Sequence, residues 1–204
     1  MLGTLYSFKI PIIAMNLKAS FDFMGCKKFL VLIFASIMLT TLVFEQKTVW
    51  GANIVGTKGD DYLVADPSGG TIRALAGDDQ IHGDQGKDKV YGDKGTDYAV
   101  GNEGDDMLIG GAGADTLNGG PGNDYARGNS GDDFLAGEED NDKLIGDSGN
   151  DSLFGGSGND VMSGGPGDDY MVGGPGADKF ICGEGLDQVV DFNPSEGDTE
   201  SADC

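Results

Sequence analysis

The sequence predicts an all-β fold, a solenoid of nine-residue repeats, and three observations carry that expectation. From Gly56 to Val190 the 204-residue chain divides into fifteen consecutive nonapeptides without one insertion or deletion. Position six of the unit is Asp in 14 of the 15, Gly70 being the exception, and position eight is apolar in all 15. A Gly-rich acidic composition on its own would also fit disorder, but a disordered chain has no reason to keep two registers in step.

Ahead of the repeats, Lys27 and Lys28 precede an apolar run from Phe29 to Phe44, and Glu45, Gln46 and Lys47 follow it. That order reads as a secretory signal peptide, and the run's 16 residues fall short of the ~20 a membrane-crossing helix needs. Gly51 and Ala52 place the expected cleavage near Ala52/Asn53, so residues 1–52 form the leader and 53–190 the roll. Met24 with GCKK and the apolar run would make a complete signal on its own, which leaves two candidate starts. Cys26 precedes the apolar run, whereas a lipoprotein cysteine follows it, so it is expected to leave with the leader and no stable membrane anchor remains.

Within a unit, positions one to six are rich in Gly, Asn and Asp and read as a turn. Positions seven to nine read as a short strand whose period-two geometry sends position eight inward. The inward row runs Leu63, Ile72, Ile81, Val90 and onward to Val189. Two units per coil would make fifteen units a rod of about 7.5 coils, roughly 36 Å long at ~4.8 Å per strand. Its core is one side chain per nine residues, thinner than that of a globular domain.

Charge points to what completes such a core. Asp and Glu number 35 against 13 Lys and Arg, a net charge of −22. Without residues 1–52 the balance is 8 basic against 33 acidic residues. Such a chain repels phosphate backbones, so no nucleic acid is expected, whereas dense carboxylates suit a hard cation with oxygen ligands. Units such as GNEGDDMLI, GGAGADTLN and GGPGDDYMV resemble the GGxGxDxUx motif of the repeats-in-toxin (RTX), or hemolysin-type, calcium-binding repeats. The resemblance covers residues 56–190. It implies a right-handed parallel β-roll with multiple Ca2+ ions held between the turns of stacked coils.

The ligands carried over from that motif are the position-six carboxylates: Asp61, Asp79, Asp88, Asp97, Asp106, Asp115, Asp124, Asp133, Asp142, Asp151, Asp160, Asp169, Asp178 and Asp187. Gly-rich turns would let backbone carbonyls complete each oxygen shell. Asp61 and Asp187, at the ends, lack a neighbouring coil on one side and are the weakest members. Unit two, ADPSGGTIR, lacks the Asp, and unit ten, GEEDNDKLI, has Asp140 where Gly belongs, so sites touching them are exceptional. The position-five acids Asp60, Asp78, Asp105, Asp132 and Asp168 recur irregularly and read as solvated surface.

After Val190 the glycines thin out and Pro194 interrupts, so residues 191–204 read as the end cap a solenoid needs. Cys182 and Cys204 remain once the leader is gone. In an oxidising compartment a bond between them would contribute ~3 kcal/mol on the chain-entropy model; the alternative is two unpaired or intermolecular thiols.

No catalytic constellation is legible. His82 is the one histidine, at an outward position nine, so a Ser-His-Asp triad or an H-E-x-x-H zinc site has no material. With only residues 53–55 between the expected cleavage and the first unit, no enzyme domain is expected ahead of the array. The expected function is a secreted, non-enzymatic calcium-binding module that folds outside the cell and meets an extracellular protein or surface; the alternative is an accessory chain of a separately encoded secreted enzyme or toxin. Thr57, Thr71, Thr96 and Thr116 fall at different unit positions, which disfavours a flat ice-binding face. Tyr62, Tyr98, Tyr125, Phe134 and Tyr170 share position seven with Met107 and Val161, and form either a partner surface or scattered exposed aromatics.

Overall fold

The structure, a computed structural model, describes residues 48–204; the apolar run 29–44 and Cys26 lie outside the described residues. Among the described residues eighteen strands alternate between two nine-stranded parallel sheets. Strands of odd-numbered units form one sheet, from Thr48–Gly51 to Gln188–Val189, and strands of even-numbered units form the other, from Asn53–Val55 to Thr199–Glu200. The chain is a parallel β-roll.

Its pitch is the expected two units. Leu117 pairs with Leu135 and Leu135 with Leu153 in the odd sheet; Leu108, Ala126 and Leu144 do the same in the even sheet. Each step is 18 residues, so position eight always stacks on position eight. From Leu63 to Phe180 that row is at most 1% exposed and fills the space between the sheets. Removing each of these side chains from water stabilises the fold by ~1.5–3 kcal/mol for the larger ones.

The strands are longer than the sequence reading expects. Met107–Ala112 and most of its counterparts run from position seven through position three of the next unit. Position one is therefore not part of an open turn: it points inward beside position eight, and Gly92, Gly101 and Gly110 are buried there. The corner comes later. Position two turns left-handed, as at Gly111 (φ 131°) and Asn102 (φ 73°), and position four turns again, as at Gly104 (φ 136°). Asp and Asn tolerate that region, which explains why Asp140 (φ 75°) can replace Gly in unit ten.

Position five lies on the surface, as expected, and has a second role. Its side chains are exposed, but they accept backbone N–H groups from the next coil: Asp78 N–H donates to Asp60 Oδ1 (2.9 Å) and Asn150 N–H to Asp132 Oδ1 (2.8 Å). Asn123, Asn141 and Asn159 continue the ladder. The five acids thus share a ladder with Asn123, Asn141, Asn150 and Asn159, which Gly69, Lys87, Thr96, Ala114, Ala177 and Leu186 interrupt.

At the amino end, Ile54 is buried and pairs with Ile72, one unit before the first complete repeat. Thr48–Gly51, inside the stretch expected to leave with the leader, pairs with Tyr62–Ala65. At the carboxyl end, Thr199 pairs with Lys179, a step of 20 rather than 18. Phe192 packs its ring on Phe180 at 6.3 Å, and a disulfide joins Cys182 to Cys204 with the Cα atoms 5.1 Å apart.

Candidate metal centre

The position-six carboxylates do two different things with their two oxygens. Oδ1 accepts a hydrogen bond from the position-six N–H one coil earlier: Asp97 N–H donates to Asp115 Oδ1 and Asp115 N–H to Asp133 Oδ1, at 2.8 and 2.7 Å. Even Gly70 donates to Asp88 (2.6 Å), so unit two keeps the ladder while lacking a carboxylate. Oδ2 has no partner. In Asp79, Asp88, Asp97 and every later member to Asp187 this oxygen is buried and accepts nothing.

An unpaired buried carboxylate oxygen is costly, and these are not paired with basic groups. The two ion pairs among the described residues, Arg73 with Asp93 and Arg127 with Asp147, lie on the surface. Burial consequently pushes the carboxyls up. Asp142 rises to about 8, Asp88, Asp115, Asp124 and Asp151 to about 7, and Asp97, Asp133 and Asp160 to about 6. Their backbone hydrogen bonds oppose this, and most have neighbouring carboxylates that add to it.

Beside the orphaned oxygens of Asp88 through Asp178, position one is glycine and leaves a space. A Cβ built on Gly92 would collide with Asp97 Oδ2 and stand 2.6 Å from the Gly110 carbonyl oxygen of the next coil. Gly101 repeats this with Asp106 and the Gly119 carbonyl, and Gly155 with Asp160 and the Gly173 carbonyl. A carboxylate oxygen and a backbone carbonyl from the adjacent coil thus converge on a pocket only glycine keeps open. Among the described residues no three His, Cys, Asp or Glu side chains gather into one cluster. A cation here would take its remaining ligands from backbone oxygens, which suits calcium.

A model of the RTX calcium-binding nonapeptide repeat (four copies) matches the chain in seven overlapping windows, from 68–99 to 154–189. The chain belongs to the RTX calcium-binding repeat family. This RTX roll therefore binds calcium, and its many repeat copies imply multiple Ca2+ ions. Among curated proteins none matches the chain.

The structure sorts the fourteen expected ligands of the RTX roll. Eleven, Asp88 through Asp178, combine an orphaned Oδ2 with Gly at position one. Asp61 differs, because Thr57 N–H donates to its Oδ2 at 2.5 Å. Asp79 and Asp187 face units whose position one is Ala74 and Cys182, so side-chain atoms stand where glycine leaves room. Unit ten, in contrast, is regular: Asp142 Oδ2 is orphaned and a Cβ on Gly137 would collide with it.

One residue escaped the sequence reading. Asp178 N–H donates to Asp198 Oδ1 (2.9 Å), so Asp198 holds the place of a sixteenth position six. Two extra residues in the cap break the period and hide it; the Gly197–Asp198 pair was the available signal.

The glycine pocket makes a direct prediction. Gly119→Ala places its Cβ against Asp124 Oδ2 and should cost ~1–3 kcal/mol and weaken calcium binding. Gly59→Ala, with nothing within 4 Å, should stay within ~0.5 kcal/mol. Thermal unfolding in calcium, with calcium titration of both variants, compares them.

Proposed function

We propose that the chain is a secreted, non-enzymatic module whose roll is assembled by calcium outside the cell, with the Oδ2 atoms of Asp88 through Asp178 as its side-chain ligands. The carrying observation is the row of buried carboxylate oxygens that accept no hydrogen bond, each beside a glycine pocket. Bound calcium supplies the positive charge that this row lacks. The chain's own part is to hold each carboxylate by Oδ1 and to aim Oδ2 and a carbonyl at the same space.

Secretion is supported by the apolar run 29–44 behind Lys27 and Lys28, and by the Cys182–Cys204 bond, since disulfides persist in oxidising compartments. Extracellular calcium modules bind at ~10⁻⁴–10⁻³ M, so the roll would stay open in the cytoplasm and close after export. A non-enzymatic role is supported by the placement of His82, whose ring packs between those of Tyr62 (5.3 Å) and Tyr98 (6.3 Å) on an outer face.

The experiment is recovery of the chain from culture medium with and without calcium. The reading expects a protease-resistant chain in the medium with calcium and a sensitive one in chelator. Retention inside the cell would overturn it, and a stoichiometric enzyme partner would replace it with an accessory role.

A further inference from the structure

The alternation of units between sheets sorts the outward residues. Tyr62, Tyr98, Phe134 and Tyr170 share the odd sheet, whereas Tyr125, Met107 and Val161 lie on the even one, so the seven do not form one surface. The even sheet carries cations at its outward positions, among them Arg73, Lys89, Arg127, Lys143 and Lys179. The odd sheet is different in kind. Its sixteen outward positions seven and nine, from Tyr62 to Val190, include no Asp, Glu, Lys or Arg.

On a chain with this density of carboxylates, an uncharged stripe crossing the coils is a recognition feature. It carries two ladders of rings. Tyr62, His82 and Tyr98 follow one another at 5.3 and 6.3 Å, and Phe134, Phe154 and Tyr170 at 5.1 and 5.9 Å. Tyr98, Phe134 and Tyr170 remain 45, 41 and 36% exposed, so part of each ring is open to a ligand. Gln80, Thr116, Ser152 and Gln188 place hydrogen-bonding groups between or beyond the rings. At one margin, a groove sets Tyr62, Val64 and His82 against Asp84, Gln85 and Glu103.

The dimensions choose among occupants. Two outward side chains per strand over eight strands make a stripe about 10 Å wide and about 34 Å long, roughly 340 Å². A stable protein interface needs about 800 Å² per partner. An extended peptide gains most of its affinity from a sheet edge, and this is a sheet face. A narrow, long, uncharged ligand with apolar ring faces and many hydroxyls fits. Ring faces would stack on the aromatics, and hydroxyls would reach the amides and the groove carboxylates. The strand spacing of ~4.8 Å is close to the length of one pyranose in an extended chain.

We propose that the outer face of the odd sheet binds an extended, uncharged polysaccharide, with Tyr62, His82 and Tyr98 as one stacking platform and Phe134, Phe154 and Tyr170 as the other. The inference goes beyond calcium binding but requires the calcium-folded roll. The test incubates the full chain in calcium with amorphous cellulose, chitin and carboxymethyl cellulose, the last being an anionic polymer on the same backbone as the first. Circular dichroism on the same samples reports folding separately.

Retention on cellulose or chitin is expected, at least tenfold weaker on the anionic polymer. The triple change Tyr98→Ala, Phe134→Ala, Tyr170→Ala should reduce it at least tenfold with the fold intact, while Tyr125→Ala on the other sheet leaves it unchanged. A folded chain retained on neither neutral polymer would overturn the proposal. So would equal loss with Tyr125→Ala, or a calcium-dependent dimer that the triple change dissolves, which would assign the face to a second copy.

Discussion

Removing calcium with a chelator is expected to abolish most of the parallel β-structure, and returning it to restore that structure in a cooperative transition. The inward row supplies one side chain per nine residues, and next to it stands a row of buried carboxylates with no countercharge. Neither is sufficient alone. A site whose free calcium is tenfold above its Kd stabilises the folded form by about 1.4 kcal/mol. Eleven such sites would contribute about 15 kcal/mol, as much as the entire stability of a typical domain. Far-ultraviolet circular dichroism from chelator to ~10 mM calcium reads this directly. A spectrum that does not change across that range would sink the mechanism.

The second expected result is that acid partly substitutes for the metal. In the unfolded chain a carboxyl titrates at the ordinary value of 3.8, whereas burial in the roll raises Asp97, Asp133 and Asp160 to about 6, Asp88, Asp115, Asp124 and Asp151 to about 7 and Asp142 to about 8, and pushes Asp79, Asp106, Asp169 and Asp178 in the same direction. Protonation therefore favours the folded form. The stabilisation is fully present below pH 3.8 and is lost as pH rises through the window from about 6 to about 8. In metal-free buffer the chain should accordingly gain β-structure between pH 8 and pH 4. Because calcium must displace those protons, its affinity should rise over the same window from pH 6 to pH 8, with measurable proton release on binding. Circular dichroism against pH tests the first part and calorimetry in two buffers the second. A metal-free chain that stays equally unfolded on acidification would show that the row is not buried without calcium.

The period, the inward row and the carboxylate row were all legible, because each is a residue type repeated at one unit position. Leu63 to Val189 could be read as the core for that reason. What the repeat concealed was that its glycines answer different demands. Gly92 is needed for the space beside Asp97, whereas Gly104 is needed for a left-handed backbone, and nothing in the letter G separates them. Asp60 and Asp132 looked irregular because the ladder they belong to accepts Asn equally well, as at Asn141. Asp198 was hidden by two inserted residues, since strict periodicity cannot follow a shift that the backbone absorbs in a loop. Tyr125 was grouped with Tyr98 because unit position alone does not tell odd from even.

That last distinction bears on how such a gene can change length. One turn of the roll consumes two units, so loss or duplication of 18 residues returns every downstream strand to its own sheet. A nine-residue change does not. Removing one unit near residue 120 would leave the inward row and the carboxylates in place. It would nevertheless carry Phe134, Phe154 and Tyr170 over to the side of Lys89 and Arg73, and bring Lys143 and Lys179 onto the side of Tyr98. Selection on the outer surfaces would therefore count in pairs where selection on folding counts in single repeats, and viable length variants should differ by whole turns.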